Sequence, residues 1–269
     1  TGDGVNDAPA LKAAHIGIAM GNKGTEIAKQ AAELVLADDD LSKMVDAVAV
    51  GRRIYTNIKK AVQYIISIHI PIILTVSLPL FLGWTYPAIF TPVHVIFLEL
   101  IMGPTCSVVY ENEPAEQNAM LVPPRPFTST FLSLNEMTIS IIQGLVITAG
   151  VLFMYHYGIQ NNYDEAGVRT LVFTTLVLAN IFLTLSNRSF FYSLLSELRN
   201  RNPLMVYIIT ATILLLICML YIPPVSKFFK ILPLSPAELL VCGATAVASI
   251  LWFEVWKWAK RKRWIAAAQ

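Results

Sequence analysis

Hydrophobic and polar positions divide the chain into two regions that meet near Tyr64. Before Tyr64, short apolar runs alternate with charged residues, and their spacing switches between helical and strand periods. The predicted elements are helices over residues 11–15 and 25–33 and strands over residues 16–20 and 34–36. A longer helix is predicted to begin near Leu41, because Gly51 is too weak a breaker to end it. The pattern indicates a small α/β region followed by a long helix.

After Tyr64 the chain consists mainly of long apolar stretches separated by short polar connectors. The stretches lie at residues 65–82, 93–110, 139–157, 170–185, 204–222 and 239–256. A helix needs about 20 apolar residues to cross the hydrocarbon core of a bilayer. Any one stretch could be a buried helix of a soluble protein, but that interpretation does not extend to all of them. The sequence therefore predicts about six transmembrane helices, of which the fourth stretch is the shortest.

The composition agrees with a membrane protein. Of the 269 residues, 55% are hydrophobic and 14% are charged, whereas a soluble domain carries roughly 25% charged residues. This composition argues against a purely soluble protein and excludes a disordered chain. The net charge of +2 is too small for a nucleic-acid-binding protein, so we expect a bilayer rather than a nucleic acid as partner. Cys106, Cys218 and Cys242 lie far apart inside apolar runs and predict neither disulfides nor a zinc ribbon.

Basic residues are concentrated in alternate connectors. These residues are Arg52, Arg53, Lys59 and Lys60, then Arg125, then Arg188, Arg199 and Arg201, then Lys257, Lys260, Arg261, Lys262 and Arg263. The opposite connectors hold only Lys227 and Lys230, with Arg169 at a helix edge. By the positive-inside rule we expect residues 1–64 and the C-terminus in the cytoplasm. The expected location is the plasma membrane.

The first residues carry the strongest candidate chemistry. Thr1-Gly2-Asp3-Gly4-Val5-Asn6-Asp7-Ala8-Pro9-Ala10-Leu11 places an acid between two glycines and a second acid at the start of a helix. Carboxylates gathered at a strand end can hold Mg²⁺ together with phosphate oxygens. An Asx-rich turn that only caps a helix explains the same spacing. The spacing alone leaves both interpretations open.

This string resembles the hinge motif of P-type ATPases, and the resemblance continues along most of the chain. It includes residues 16–21, 34–39, 51–60, 118–120 and 123–126. The resemblance implies a mixed fold: a small α/β remnant of a haloacid-dehalogenase-like phosphorylation domain at 1–40, a helical stalk at 41–64, and an all-α membrane domain at 65–269. The opening at Thr1 suggests the middle of a longer polypeptide, whose N-terminal part would be a partner of this chain.

The resemblance also implies roles for the hinge residues. Asp3 would ligate the catalytic Mg²⁺, Asn6 would hydrogen-bond the phosphoryl group, and Asp7 would support both. The flanking Gly2 and Gly4 are assigned to cofactor binding. ATP would be the substrate of the full-length enzyme, although its binding domain does not occur in this sequence. The Asp-Lys-Thr-Gly-Thr motif of the phosphorylated aspartate is absent too, so we expect this chain to be inactive alone.

Glu99 is the only carboxylate deep inside a predicted span. A charge at a helix centre costs about 2.5–3.5 kcal/mol on insertion scales, so Glu99 requires a partner, an ion or a proton. We interpret it as the transport carboxylate, with a protonated glutamic acid that bonds neighbouring helices as the alternative. Pro71 and Pro104 each free a backbone carbonyl four residues earlier. The buried charge of the membrane region is expected to reduce almost to Glu99.

The family resemblance adds two candidate cation ligands. His69 aligns with an ion-coordinating position of calcium pumps and could pair with Glu99 or carry a proton, although a packing histidine remains an alternative. Asn180 resembles an asparagine on the corresponding calcium-pump helix. Six spans after the hinge motif favour the calcium, sodium–potassium and proton pumps over the copper and zinc pumps.

Other positions depart from the calcium-pump pattern. Ile72 and Val177 stand where calcium pumps carry glutamates, and Met102-Gly103 stands where they carry Thr-Asp. Calcium prefers 6–8 oxygen ligands, several of them anionic. The sequence therefore predicts a calcium-type pump by resemblance, with a pump for protons or a monovalent cation as the first alternative. A non-catalytic channel or membrane subunit is a further alternative.

Overall fold

The computed structural model describes residues 1–116, 118–121, 123–124, 126, 130–197 and 202–268. Arg125, Arg199 and Arg201 lie outside the described residues. The chain separates into two compact units. The first contains residues 1–54 and 117–122, and the second contains residues 55–116 and 123–269.

The first unit contains a small parallel sheet and short helices. Its elements are a 3₁₀ turn at Val5–Asp7, α1 at Ala8–Ala13, β1 at Ile18–Met20, α2 at Glu26–Ala31 and β2 at Leu34–Leu36. β1 pairs in parallel with β2, with Ala19 opposite Val35. On its other side β1 forms a parallel bridge between Ala19 and Gly2. β1 is therefore the central strand, and the predicted alternation of helices and strands is present.

The boundaries of two elements differ from the predicted ones. α1 begins at Ala8 rather than at residue 11, because Pro9 occupies the first turn, where its missing N–H costs nothing. β1 begins only at Ile18, since the Gly17 carbonyl accepts from the amides of Glu33 and Leu34. Thr25 caps α2, as expected, and its hydroxyl accepts from the Ala28 amide at 3.3 Å.

The second unit is a bundle of helices. The long helices are α3 at Lys43–Phe81, which begins in the first unit, α4 at Pro92–Pro104, α5 at Leu134–Gln160 and α6 at Glu165–Ser186. The chain continues with α7 at Leu194–Glu197, α8 at Pro203–Tyr221, α9 at Pro223–Phe229 and α10 at Pro236–Ala268. Six of these segments are long and apolar enough to cross a membrane: α3, α4 with the turn that follows it, α5, α6, α8 and α10. The prediction of six spans is confirmed.

Two features of the bundle have no counterpart in the predicted pattern. α4 passes at Pro104 into a π-helix over Thr105–Tyr110. Pro104 cannot donate to the carbonyl of Leu100, so the regular hydrogen-bond ladder is interrupted where the π-helix begins. The connector between α8 and α10 contains the short helix α9, which starts at two consecutive prolines. Proline is favoured in the first helical turn, which explains this start.

α6 is the central helix of the bundle. Within an 18-residue apolar stretch of α6, 83% of the residues are buried, whereas the share in the corresponding stretches of the other five spans is 28–44%. It packs against both α5 and α10. The stretch that was predicted to be the shortest span is thus the one that the other helices enclose.

Buried charges occur at several positions of the bundle, and the expectation that they would reduce almost to Glu99 is wrong. Among the described residues, the buried lysines, arginines and glutamates are Lys60, Glu113, Arg169, Arg188 and Lys257. Arg188 pairs with Glu113 at 2.7 Å, and Asn202 donates to the other oxygen of Glu113 at 2.8 Å. These partners compensate the loss of hydration. Glu113 and Arg188 lie in connectors, whereas Lys60, Arg169 and Lys257 lie within α3, α6 and α10.

α3 and α5 approach each other closely at Gly144. A Cβ placed on Gly144 would lie 2.7 Å from Ile70 Cβ and 2.9 Å from the Ser67 carbonyl oxygen. We expect Gly144→Ala to lower the free energy of unfolding by about 1–3 kcal/mol, because the two helices must separate. Gly243→Ala on α10 is the control, since a Cβ there meets nothing within 4 Å. Thermal unfolding of the purified full-length protein measures both; equal stabilities would contradict the close contact.

Candidate functional site

The opening turn lies at the carboxyl edge of the parallel sheet. Gly2 donates to the Ile18 carbonyl at 3.0 Å and accepts from the Met20 amide at 3.3 Å, so it extends the sheet by one residue. Asp3 follows directly, and its carbonyl accepts from the Thr25 amide at 2.8 Å. Ligand sites of open α/β sheets lie outside the carboxyl ends of the strands. The sheet therefore puts Asp3 where a ligand would be expected.

Asp7 holds this turn from inside. One oxygen of its carboxylate, Oδ2, accepts from the backbone amides of both Asp3 and Gly4 at 3.0 Å. The hydrogen bonds from Gly4 and then Asp3 lower the pKa of Asp7 below its ordinary value, because they favour the ionised form. Asp7 thus fixes the backbone that carries Asp3.

Gly2 acts through the space that it leaves, whereas a Cβ on Gly4 would make only ordinary contacts, the nearest at 3.5 Å from Asp7 Oδ2. A Cβ on Gly2 would lie 2.5 Å from Asp7 Cβ, which only glycine avoids. The amides of Gly2 and Gly4 already donate, to Ile18 and to Asp7 respectively. Their assignment to cofactor binding stays a prediction, and the contacts within the chain explain them as turn residues.

Asp3 and Asn6 suit an Mg²⁺ ion that is shared with a phosphate group. Both residues are exposed, and within the described part of the chain no hydrogen bond to either side chain is present. Mg²⁺ is usually held by one or two carboxylates together with phosphate oxygens and water, rather than by a complete protein cage. No group of three or more potential metal-ligating side chains occurs among the described residues. A single available carboxylate is consistent with the shared type of site.

The turn should respond to pH through Asp7. The pKa of Asp7 is lowered in the folded chain. Its contribution to the stability of the turn is therefore complete above its ordinary pKa near 3.8 and is lost as the pH falls through the lowered pKa. We expect slow hydrogen exchange at the amides of Asp3 and Gly4 to disappear over that acid range. Asp7→Asn keeps an acceptor oxygen that does not titrate, so the same amides should exchange independently of Asp7 ionisation. Equal acid profiles for both proteins would contradict the assignment.

Within the bundle, His69 and Glu99 are brought together. Nε2 of His69 on α3 lies 3.4 Å from Oε1 of Glu99 on α4. Nδ1 of the same ring lies 2.8 Å from the Ile65 carbonyl oxygen, which can only accept, so Nδ1 carries the proton. Nε2 is then the nitrogen that either receives a proton from Glu99 or donates one to it. The possible pairing of His69 with Glu99 thus has a definite geometry.

The pair is open on one side. The side chains of His69 and Glu99 are 38% and 53% exposed within this chain. An ionisable pair in a membrane faces protein or a water-filled cavity rather than lipid. In a membrane, this exposed face would therefore be lined by other protein or by water.

The two prolines have different surroundings. Pro71 frees the Ser67 carbonyl, but Gly144 on α5 lies directly against that oxygen. Pro104 is followed by the π-helix, in which the Ser107 hydroxyl donates to the Gly103 carbonyl at 2.9 Å. The Ser67 carbonyl near Pro71 is thus covered by the neighbouring helix α5. The π-helix after Pro104 continues the helical segment that carries Glu99. π-Helical turns occur frequently at functional sites.

Asn180 lies in a separate polar network. It is buried on α6, and its side-chain oxygen accepts from the Tyr64 hydroxyl at 2.6 Å. Among the described residues it makes no hydrogen bond to His69 or Glu99. Its assignment as a cation ligand remains a prediction, and its observed contact is with Tyr64.

Sequence reasoning missed a buried hydrogen-bond chain between α3, α5 and the end of α6. The Ser67 hydroxyl donates to Gln143 at 3.0 Å, and the Gln143 amide donates to Asn187 at 2.9 Å. Gln143 is a polar amide inside an apolar stretch, and that was the available signal. Such amides join helices in membranes.

Comparison with known proteins gives consistent similarities. Residues 87–259 match the family model described as "Cation transporting ATPase, C-terminus". The chain is 31% identical over 264 residues to the human calcium-transporting ATPase type 2C member 1, covering 98% of this chain and 28% of that protein. It is 33% identical over 258 residues to calcium-transporting ATPase 1 of Lactococcus lactis, covering 96% and 29%. The chain spans less than a third of the length of these relatives.

Proposed function

The chain belongs to the cation-transporting ATPases, and from this premise we propose that it is the C-terminal part of an ATP-driven cation pump. The single observation that carries the proposal is the His69–Glu99 pair at 3.4 Å inside a bundle of six apolar helices. The full-length pump would couple formation of an aspartyl phosphate to movement of a cation across the membrane. By the names of its relatives the cation would be calcium.

We propose that residues 1–40 are the remnant of a haloacid-dehalogenase-like phosphorylation domain, followed by a stalk at 41–64 and the membrane domain at 65–269. Asp3 at the carboxyl edge of the sheet supports this assignment. The continuous helix α3 supports a stalk that runs directly into the first span. Residues 1–64 and the C-terminus would face the cytoplasm of a cell whose plasma membrane holds the pump.

In the phosphorylation site, Asp3 would bind Mg²⁺ and Asn6 would hydrogen-bond the phosphoryl group. Mg²⁺ would supply positive charge that neutralises the phosphoryl oxygens of the ATP substrate. Asp7 holds the backbone amides of Asp3 and Gly4 and would thereby position the Asp3 side chain. The nucleotide-binding residues and the phosphorylated aspartate would be contributed by the N-terminal part of the same polypeptide.

In the membrane site, Glu99 would bind the cation and His69 would orient its carboxylate. The exposed face of the pair supports a site that another part of the full-length protein completes. A proton or a monovalent cation is the second candidate, and the specific observation that favours it is the single carboxylate beside an imidazole. Calcium usually requires several anionic ligands, which this chain alone does not bring together.

A screen of ATPase activity tests the proposal in the full-length protein. Calcium, sodium, potassium and pH are varied separately, and phosphoenzyme formation from ATP is measured beside turnover. Stimulation by one cation supports a pump and identifies the ion. Phosphoenzyme that forms without any cation dependence contradicts cation transport, and absence of phosphoenzyme favours a channel or a non-catalytic subunit. The isolated 269-residue chain is expected to form no phosphoenzyme, and formation there would contradict the assignment of a C-terminal part.

A further inference from the structure

A cavity lies at the end of the bundle where the apolar part of α3 and the helix α5 begin and where α6 and α10 end. Its volume is about 280 Å³, close to the lower end of ligand pockets. Residues from α3, α5 and α10, together with the segments that follow α4 and α6, line it. Neither the hinge turn nor the His69–Glu99 pair contributes to it. The cavity is therefore separate from the residues proposed for phosphate chemistry and cation binding.

The charges around the cavity leave one cation without a counter-charge. Lys59 pairs with Glu136 at 2.6 Å, and Lys60 pairs with Glu116 at 2.8 Å. Lys260 on α10 lies over the ring of Trp256 at 5.0 Å and, in the part of the chain that the structure describes, forms no ion pair. The lining thus carries a net positive charge and ammonium donors on three lysines. It would attract an anion.

A buried amide in the same lining also requires an acceptor. Gln63 is only 2% exposed, and its Nε2 has no hydrogen-bond partner within the described residues. A buried donor without a partner costs about 1–3 kcal/mol, and such groups are normally satisfied. A ligand with several acceptor oxygens would satisfy Gln63 and the lysines together. A phosphate group has this character.

The position of the cavity identifies the source of the phosphate. Trp256 and Tyr55 in its wall are the residue types that mark the membrane–water interface. Beyond the cavity-lining residues of α3 and α5, Ile65 and Ile142 are each 40% exposed and can contact acyl chains. Basic pockets between transmembrane helices bind the headgroups of anionic lipids. We propose that this cavity binds the phosphate of an anionic phospholipid headgroup.

Native mass spectrometry of the purified full-length protein tests the proposal, with phosphatidylglycerol as probe and phosphatidylcholine as the neutral comparison. Lys260→Gln should weaken phosphatidylglycerol retention about fivefold, the effect of one lysine near an anionic surface. Lys262→Gln is the matched control, because Lys262 lies on the same helix, over Trp258 at 4.2 Å, and outside the cavity. Gln63→Leu changes no charge and should also weaken retention. Thermal unfolding must show that each variant is folded.

The outcomes separate a built site from general attraction. Loss with Lys260→Gln and Gln63→Leu, but not with Lys262→Gln, supports the proposal. Equal loss with both lysine variants, or unchanged retention with Gln63→Leu, overturns it. Displacement of phosphatidylglycerol by millimolar inorganic phosphate identifies a soluble anion as the occupant and overturns the lipid assignment. These results do not depend on whether the protein pumps a cation, since lipid retention is measured without ATP.

Discussion

Asp3→Asn in the full-length protein should reduce ATPase turnover by about a hundredfold or more, a loss typical of a preorganised electrostatic contact with the reacting group. Asparagine has nearly the same size as aspartate but lacks the charge that Mg²⁺ prefers. The turn itself should remain, because Asp7 holds the backbone amide of residue 3 and not its side chain. The measurement is steady-state ATP hydrolysis in isolated membranes.

Asp46→Asn is the matched control for this substitution. Asp46 is an acid in the same unit whose side chain is 70% exposed and whose one ion pair among the described residues is with Lys43 at 3.6 Å. An exposed pair of this kind contributes little, so turnover should stay near that of the unmodified protein. Equal amounts of both variants in the membrane exclude a defect in insertion. Normal turnover of Asp3→Asn would remove Asp3 from the catalytic site.

Glu99→Gln should abolish the stimulation of ATPase activity by the transported cation. The substitution keeps the shape of the side chain and removes the only carboxylate deep inside a span, so the ion loses its charged ligand. The hinge residues are unchanged, and phosphorylation by inorganic phosphate should therefore persist. The ratio of ATPase activity with and without the cation is the quantity to measure.

Glu111→Gln provides the comparison for Glu99. Glu111 follows the π-helix on the same segment, its side chain is exposed, and it forms no ion pair among the described residues. This variant should keep its cation stimulation. If Glu99→Gln also keeps it, with an unchanged affinity for the cation, Glu99 does not belong to the transport site. If phosphorylation by inorganic phosphate disappears as well, the substitution has damaged more than the cation site.

The six apolar helices could be predicted because length and hydrophobicity alone determine whether a helix crosses a bilayer. The short strands and helices around Gly17 and Thr25 were also predictable, because glycines and a capping hydroxyl mark where these elements begin or end. Their exact ends were not, because backbone contacts from distant residues such as Glu33 determine where β1 begins. Local patterns contain no information about such partners.

The site was predictable in part. The pairing of His69 with Glu99 was anticipated as one possibility, but its distance depends on how α3 and α4 pack. Asn180 was selected by resemblance. Its contact with Tyr64 depends on tertiary packing, which residue spacing does not predict. The π-helix after Pro104 and the unsatisfied amide of Gln63 were likewise absent from the pattern. Both features depend on which hydrogen-bond partners are available in the folded chain.

The enclosure of α6 has a consequence for how the protein enters the membrane. Its buried residues include Thr170, Thr174, Thr175 and Asn180, and the hydroxyls of Thr174 and Thr175 have no partner among the described residues. In lipid alone these polar side chains would lack the neighbouring helices that enclose them in the bundle. We therefore expect α6 to remain beside α5 at the translocon until α10 has been synthesised. Completion of the C-terminal helix would then set the moment at which the bundle is released into the bilayer.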